Sequence, residues 1–230
     1  MKKLLILAIL GLAGCATSKA QTGMAIYDFG ALRLTAESAF SGETTAKRLG
    51  TSLLVTDVAA PIWLDSNAIQ YRLAYHDPAR IYAYGANRWA ASPSILLTQR
   101  IRNRIATVTD GGVASTAEGA RTDYVLRVEL QEFTQIFDAH DQSRAVVKFR
   151  ASLTDPRTRV LISQRSFNAE QPAPAADAPG AVRALTDASD QAIEELITWL
   201  MEELAEEQKH APTQGDIPGN NRLVLLLSSS

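Results

Sequence analysis

Cysteine is almost absent: the 230-residue chain contains one, Cys15. A lone thiol closes no internal disulfide, so no covalent staple is available to the fold. Histidine is scarce too. His76, His140 and His210 are the full set, and no two lie at metal-ligand spacing on one element. An excess of positive charge is also missing, since 23 basic and 25 acidic side chains give a formal net charge of −2. No basic stripe interleaves with aromatics, which argues against nucleic acid as a partner. There is no phosphate-cradling glycine loop, no dinucleotide fingerprint and no Gly-x-Ser-x-Gly elbow. Serine, histidine and aspartate occur, but nothing in their spacing selects a triad. The Asp138-Ala139-His140-Asp141 stretch reads as a polar hairpin loop before it reads as a cation site. The expectation is a non-enzymatic chain with no catalytic residues, no cofactor and no metal.

Long apolar runs are confined to the N-terminus. Lys2 and Lys3 precede an apolar stretch from Leu4 to Leu12, and the small residues Ala13 and Gly14 lead into Cys15. That run is too short for a permanent bilayer span, and the layout is that of an export signal over residues 1–14. Leu12-Ala13-Gly14-Cys15 matches the lipobox of bacterial lipoproteins, which makes Cys15 the lipid-attachment residue. One acyl chain anchors only marginally, whereas the two or three on such a cysteine anchor stably. Ala16, rather than aspartate, after the cysteine favours the outer membrane by analogy with lipoprotein sorting. Loss of Lys2 and Lys3 with the signal brings the formal charge to −4.

Beyond a small, polar tether over residues 15–24, periodicity organises the chain into one folded unit over 25–209. Ala25–Gly30 opens it as a strand or extended arm, and Leu32–Gly50 reads as a connector. Leu53–Val58 is a compact buried strand. Ile69, Tyr71, Leu73 and Tyr75 alternate along another, which turns at His76-Asp77-Pro78 and returns through Arg80–Tyr84. Ser92-Pro93 starts a helix, with serine suited to the N-cap and proline to the first turn. Its apolar stripe is Ile95, Leu97, Ile101, Ile105 and Val108, and Arg100, Arg102 and Arg104 are expected on its solvated sides. Gly111-Gly112 stops it, because glycine takes positive φ without strain.

Three alternating strands follow. Tyr124, Leu126, Val128 and Leu130 share one face, Ala145 to Leu153 supply the next at every second residue, and Val160–Phe167 follows the Asp155–Thr158 turn. Clean alternation implies a sheet with one buried and one wet face. Gln171–Gly180 is expected as a loop, and Pro179–Gln208 as a long helix with Leu185, Ala192, Leu196, Leu200 and Leu204 on its apolar stripe. Its glutamates form a solvated face. The residues from 210 to 230 are expected to be disordered, and Leu223–Leu227 is too short to span a membrane. The predicted architecture is α/β, a single domain with a mixed, largely antiparallel sheet flanked by two main helices.

The stretch from Pro61 to Trp89 stands out for its aromatics. Pro61-Ile62-Trp63-Leu64-Asp65 puts bulky apolar residues in a loop, and Tyr71, Tyr75, Tyr82, Tyr84 and Trp89 follow. Aromatics with polar tips are enriched where surfaces meet, so Trp63, Leu64, Tyr84 and Trp89 are the candidate partner interface. The competing reading is that Trp63 and Trp89 cap the core.

Pro61–Asp65, Ile69-Gln70-Tyr71-Arg72, Tyr84-Gly85-Ala86-Asn87-Arg88-Trp89-Ala90, Pro93 and Leu96-Leu97, in that order, resemble the ABC-type transport auxiliary lipoprotein family, that of PqiC-like proteins. The resemblance runs from about Tyr27 to Leu204 and omits the tail after His210. It implies a lipid-anchored, periplasm-facing outer-membrane component of a lipid-trafficking system. Its implied partners are an MCE-domain protein and an inner-membrane ABC permease and ATPase, with assembly into homo-oligomeric rings. It implies no catalytic residues. The rival functions are a general envelope-assembly lipoprotein and a lipid-anchored hydrolase.

Overall fold

The computed structural model describes residues 23–31 and 48–210. Cys15 and the lipobox, the tether before Gly23, most of the Leu32–Gly50 connector and the tail from residue 211 lie outside the described residues. In chain order the elements are β1 (Ala25–Tyr27), β2 (Leu53–Val55), β3 (Ala68–Leu73), β4 (Asp77–Trp89) and α1 (Pro93–Val108). Then come β5 (Val113–Ala114), a 3₁₀ turn (Thr116–Glu118), β6 (Tyr124–Phe137), β7 (Ser143–Thr154), β8 (Leu161–Pro172) and α2 (Ala178–His210).

The spine is β6. On one side β7 pairs with it antiparallel, and β8 continues outward from β7. On the other side two strands share its length in parallel: β2 along the first half (Leu53↔Tyr124) and β3 along the last (Tyr71↔Gln135). β5 adds to β2, the hairpin partner β4 adds to β3, and β1 adds to the end of β4. The result is one open mixed sheet of eight strands with two helices, as the hydrophobic patterning predicts.

Both helices enter a common core with one face of the sheet. Ala181, Ala184, Ala188 and Ala192 let α2 approach closely, while Leu185, Leu196, Leu200, Leu204 and Trp199 fill the space over β7 and β8. Each such large side chain contributes about 1.5–3 kcal/mol by burial. Phe167 bridges Phe149 and Trp199, with ring centroids 5.4 and 5.8 Å away. The predicted buried face of β7, from Ala145 to Leu153, is buried throughout.

Four departures have physical reasons. In β6 the register advances by one extra residue between Leu130 and Glu132, a bulge that reverses which face each later residue takes. Leu126, Val128 and Leu130 point into the core before it, and Phe133, Gln135 and Phe137 do so after it. β8 runs on to Pro172, where a loop was expected from Gln171, because an outermost strand tolerates a proline at its end. Pro78 lies inside β4 for the same reason, and the hairpin turn falls two residues earlier, at Ala74-Tyr75-His76, where the His76 N–H donates to the Leu73 carbonyl (3.0 Å).

The fourth concerns α1. Ile95 is exposed and Leu96 replaces it in the core, while Arg100, expected in solvent, is only 5% exposed. Helical periodicity marks a polar flank but cannot tell that a second helix lies against it. Arg100 makes a two-pronged pair with Asp190 of α2 (2.7 and 2.6 Å) and donates to the Gly30 carbonyl (3.1 Å). Arg104 pairs with Glu194, and Arg102 donates to the Val55 carbonyl and Asp57. The glycine pair after α1 serves two ends. A Cβ on Gly111 would lie 2.2 Å from the Thr51 carbonyl carbon, and Gly112 has φ +87°.

Candidate functional site

The four aromatic-segment residues go to different places. Trp89 is 1% exposed and packs among Phe29 and Phe133, with ring centroids 5.6 and 5.7 Å away. Leu64 is likewise in the core. Trp63 is 55% exposed, and Tyr84 is half-buried. One residue's displacement separates the outcomes at 63 and 64. Pro61 accepts hydrogen bonds from Leu64 N (2.8 Å) and Asp65 N (3.2 Å), closing a single helical turn that drops Leu64 inward and turns Ile62 and Trp63 outward.

Side chains clamp this turn from both sides. Gln70 donates its amide to the Trp63 carbonyl (2.5 Å), and the Ser94 hydroxyl donates to Asp65 (3.2 Å) beside the start of α1. Two surfaces result, one around the turn and one on the β3–β4 hairpin.

On the hairpin, Tyr71 sits opposite Tyr82 with rings stacked 5.2 Å apart, and it also meets Tyr84 (4.8 Å) and Phe137 (5.6 Å). The Arg80 guanidinium lies 4.7 Å from the Tyr82 ring centre, a cation–π contact. The Tyr84 hydroxyl donates to Gln135 (2.6 Å), whose own amide donates to Ser143 (2.8 Å). Burial, then Tyr71, then Asp177 push the Tyr84 phenol above its ordinary range, so it stays a protonated donor. Sequence reasoning singled out Tyr84 but missed Gln135, whose polar side chain faces inward only because of the bulge at Gln131.

The β4 strand is irregular where it reaches β1. Ala68 pairs with Arg88 but Gln70 pairs with Ala83, so β4 carries additional residues there, and Arg88 secures them by donating to the Tyr84 and Asn87 carbonyls. Among the described residues β8 pairs only with β7, and β4 has an outer neighbour only at Asn87–Trp89. The outer sides of β4 and β8 therefore offer unpaired backbone groups.

A groove of about 550 Å³ lies between β1 and the first turns of α2, bordered by Tyr27, Phe29, Arg100 and Val182. Its most buried charge, Arg100, is committed to Asp190. His76 and His140 are both exposed, in turns. Among the described residues no group of three His, Cys, Asp or Glu side chains could hold a metal ion, and no helix is long and apolar enough to cross a membrane.

An open mixed sheet backed by two helices, with aromatic side chains offered along its β3–β4 side, defines an α/β scaffold that presents surface. The chain belongs to the family of ABC-type transport auxiliary lipoprotein components, whose profile matches residues 33–196. It is thus an auxiliary lipoprotein of ABC-type transport, a family tied to the cell envelope by a lipid anchor. Among solved structures, protein XCC0632 from Xanthomonas campestris, of family DUF330, is similar at 21% identity and a TM-score of 0.64, covering 72% of this chain and 93% of that one. An uncharacterized protein is similar at 16% identity and a TM-score of 0.58, over 77% and 99%. These likenesses establish the fold. No curated protein matches.

Proposed function

We propose that this chain is the non-catalytic outer-membrane end of an intermembrane lipid-transport system, held there by lipid on Cys15. Its partners are an MCE-domain protein and, through it, an inner-membrane ABC permease and ATPase. The observation that carries the reading is the family match over residues 33–196 in a chain that also has Leu12-Ala13-Gly14-Cys15. Ala16 supports the outer membrane as the destination. The partner-docking surface is the tyrosine ladder of the hairpin, Tyr71, Tyr82 and Tyr84, with Arg80 at its rim. Half-buried rings with polar tips suit a surface that is wet when free and covered when bound. Leu64 and Trp89 support it from within the core. The unpaired borders at β4 and β8 suit head-to-tail association of copies, which closes into a ring when the rotation between copies allows.

The test is capture from solubilised envelopes with the lipidated protein, followed by identification of the bound proteins. The MCE-domain protein is expected, and Tyr82→Ala is expected to reduce its recovery about tenfold, the effect of losing one strong interface residue. Recovery of an unrelated envelope protein in its place would move the assignment to a general assembly lipoprotein. Native mass spectrometry of the same preparation reads the number of copies.

A further inference from the structure

We propose that Ile62 and Trp63, together with Met24, Ile26 and Ile95, form a ridge that seats the domain directly on a lipid surface. The inference rests on the reading of Cys15 as the lipid anchor. Ile62 is 88% exposed and Ile26 67%, while Met24, Trp63 and Ile95 are each half exposed or more.

Strand register and two hydrogen bonds bring β1, the Pro61–Asp65 turn and the first turn of α1 to the same end of the sheet. Ile26 pairs with Arg88, and Arg88 pairs with Ala68, so the three form a row across adjacent strands, with Ile26 and Ala68 about 10 Å apart. The neighbouring residues Trp89 and Ile69 enter the core, which places that row on the opposite, outer face. Gln70, on the same face as Ala68, holds the Trp63 carbonyl, and Ser94, next to Ile95, holds Asp65. The turn is thus fastened to the sheet and to α1 in the conformation that turns Ile62 and Trp63 out.

The occupant follows from where the chain enters. Met24 lies within the ridge, and only eight residues carry the chain from Cys15 to Gly23. Fully extended, they span at most roughly 28 Å. An acylated Cys15 therefore keeps this surface within a short reach of the bilayer, where a high effective concentration lets a small apolar contact suffice. The side chains fit such a surface: isoleucine and methionine enter the acyl boundary, and tryptophan prefers the headgroup level with its N–H in water. The exposed side chains of the ridge are apolar, and Arg88 in the row is engaged with the Tyr84 and Asn87 carbonyls, so the contact is expected to be apolar and insensitive to salt.

The test uses the full protein, purified from membranes and reconstituted into phosphatidylethanolamine/phosphatidylglycerol vesicles with or without brominated acyl chains. Trp89 and Trp199 are 1% and 2% exposed, so quenching of tryptophan emission by bromine or by aqueous iodide reports on Trp63. On vesicles, brominated lipid is expected to quench the Trp63 emission and iodide to lose its access several-fold, with no change between low and high salt. Trp63→Phe should remove both responses, and Ile62→Asp should restore iodide access while leaving the melting temperature unchanged. Full iodide access on vesicles with no bromine quenching would overturn the proposal. So would protection of Trp63 only after the MCE-domain protein is added. The mass of the N-terminal peptide reports acylation of Cys15 separately. An unmodified Cys15 defeats the anchor reading, whereas an acylated Cys15 with a fully accessible Trp63 defeats the ridge alone.

Discussion

The half of the sheet under α2 and the half formed by β3, β4 and β1 use the same kinds of residue to opposite effect. Over β7 and β8 the long helix closes the face, and Phe149, Phe167 and Trp199 have no solvent to meet. Over the β3–β4 hairpin, among the described residues, the tyrosines stack on one another and stay half-exposed. An aromatic side chain stabilises the fold in the first setting and is available to a second molecule in the other. What decides between them is coverage, which belongs to the tertiary arrangement and not to the residue.

Removing one large side chain from each half should break or sharpen that contrast. Trp199→Ala should cost about 3–5 kcal/mol, as expected for a large buried aromatic, read as a fall in the denaturant midpoint. Trp89→Ala should cost as much although it belongs to the aromatic segment, and a cost below about 1 kcal/mol would mean that the hairpin side has no core of its own. Asp190→Ala leaves the Arg100 guanidinium buried without its carboxylate and should cost about 3 kcal/mol. Arg100→Met with Asp190→Leu should recover most of that loss.

Tyr84→Phe should cost about 1–3 kcal/mol by stranding the buried Gln135 oxygen. A cost near zero would place water at that oxygen and make the ladder a purely external feature.

Smaller again is Asp123→Asn, at about 1 kcal/mol. The Asp123 carboxylate accepts from the Ser52 N–H and hydroxyl (both 2.8 Å), tying β2 to the start of β6, and these bonds hold its pKa below the ordinary aspartate value. The folded value is the lower one, so the stabilisation is complete above about pH 4, where the unfolded aspartate ionises, and fades as pH falls through the folded value. Acid titrations of the two proteins should therefore converge at the low end. Trp63→Ala should change stability by no more than about 0.5 kcal/mol. A larger loss would make Trp63 a core cap and align it with Trp89.

Alternation alone made β7 readable, because Ala145 to Leu153 keeps one phase from end to end. It worked for β6 only as far as Leu130, since nothing in the residues near Gln131 marks the extra step that reverses the phase. The two long helices were legible from their stripes, but the fate of Arg100 was not. A buried, paired arginine and a solvated one have the same spacing on a helix. Within the candidate site the aromatic segment was visible as a cluster, while its division into Trp63 outside and Leu64 and Trp89 inside depends on one turn closed by Pro61.

The extra residue in β6 has a further consequence for how this chain tolerates change. Loop positions absorb inserted or deleted residues at little cost, but a one-residue deletion at Gln131 would act on the strand as a frameshift acts on a coding sequence. Every side chain from Glu132 to Phe137 would exchange inside for outside, withdrawing Phe133 from Trp89 and Gln135 from Tyr84 together. The strand between Leu130 and Phe137 is thus read in a fixed frame, and related chains of this family should vary in length almost anywhere before they vary there.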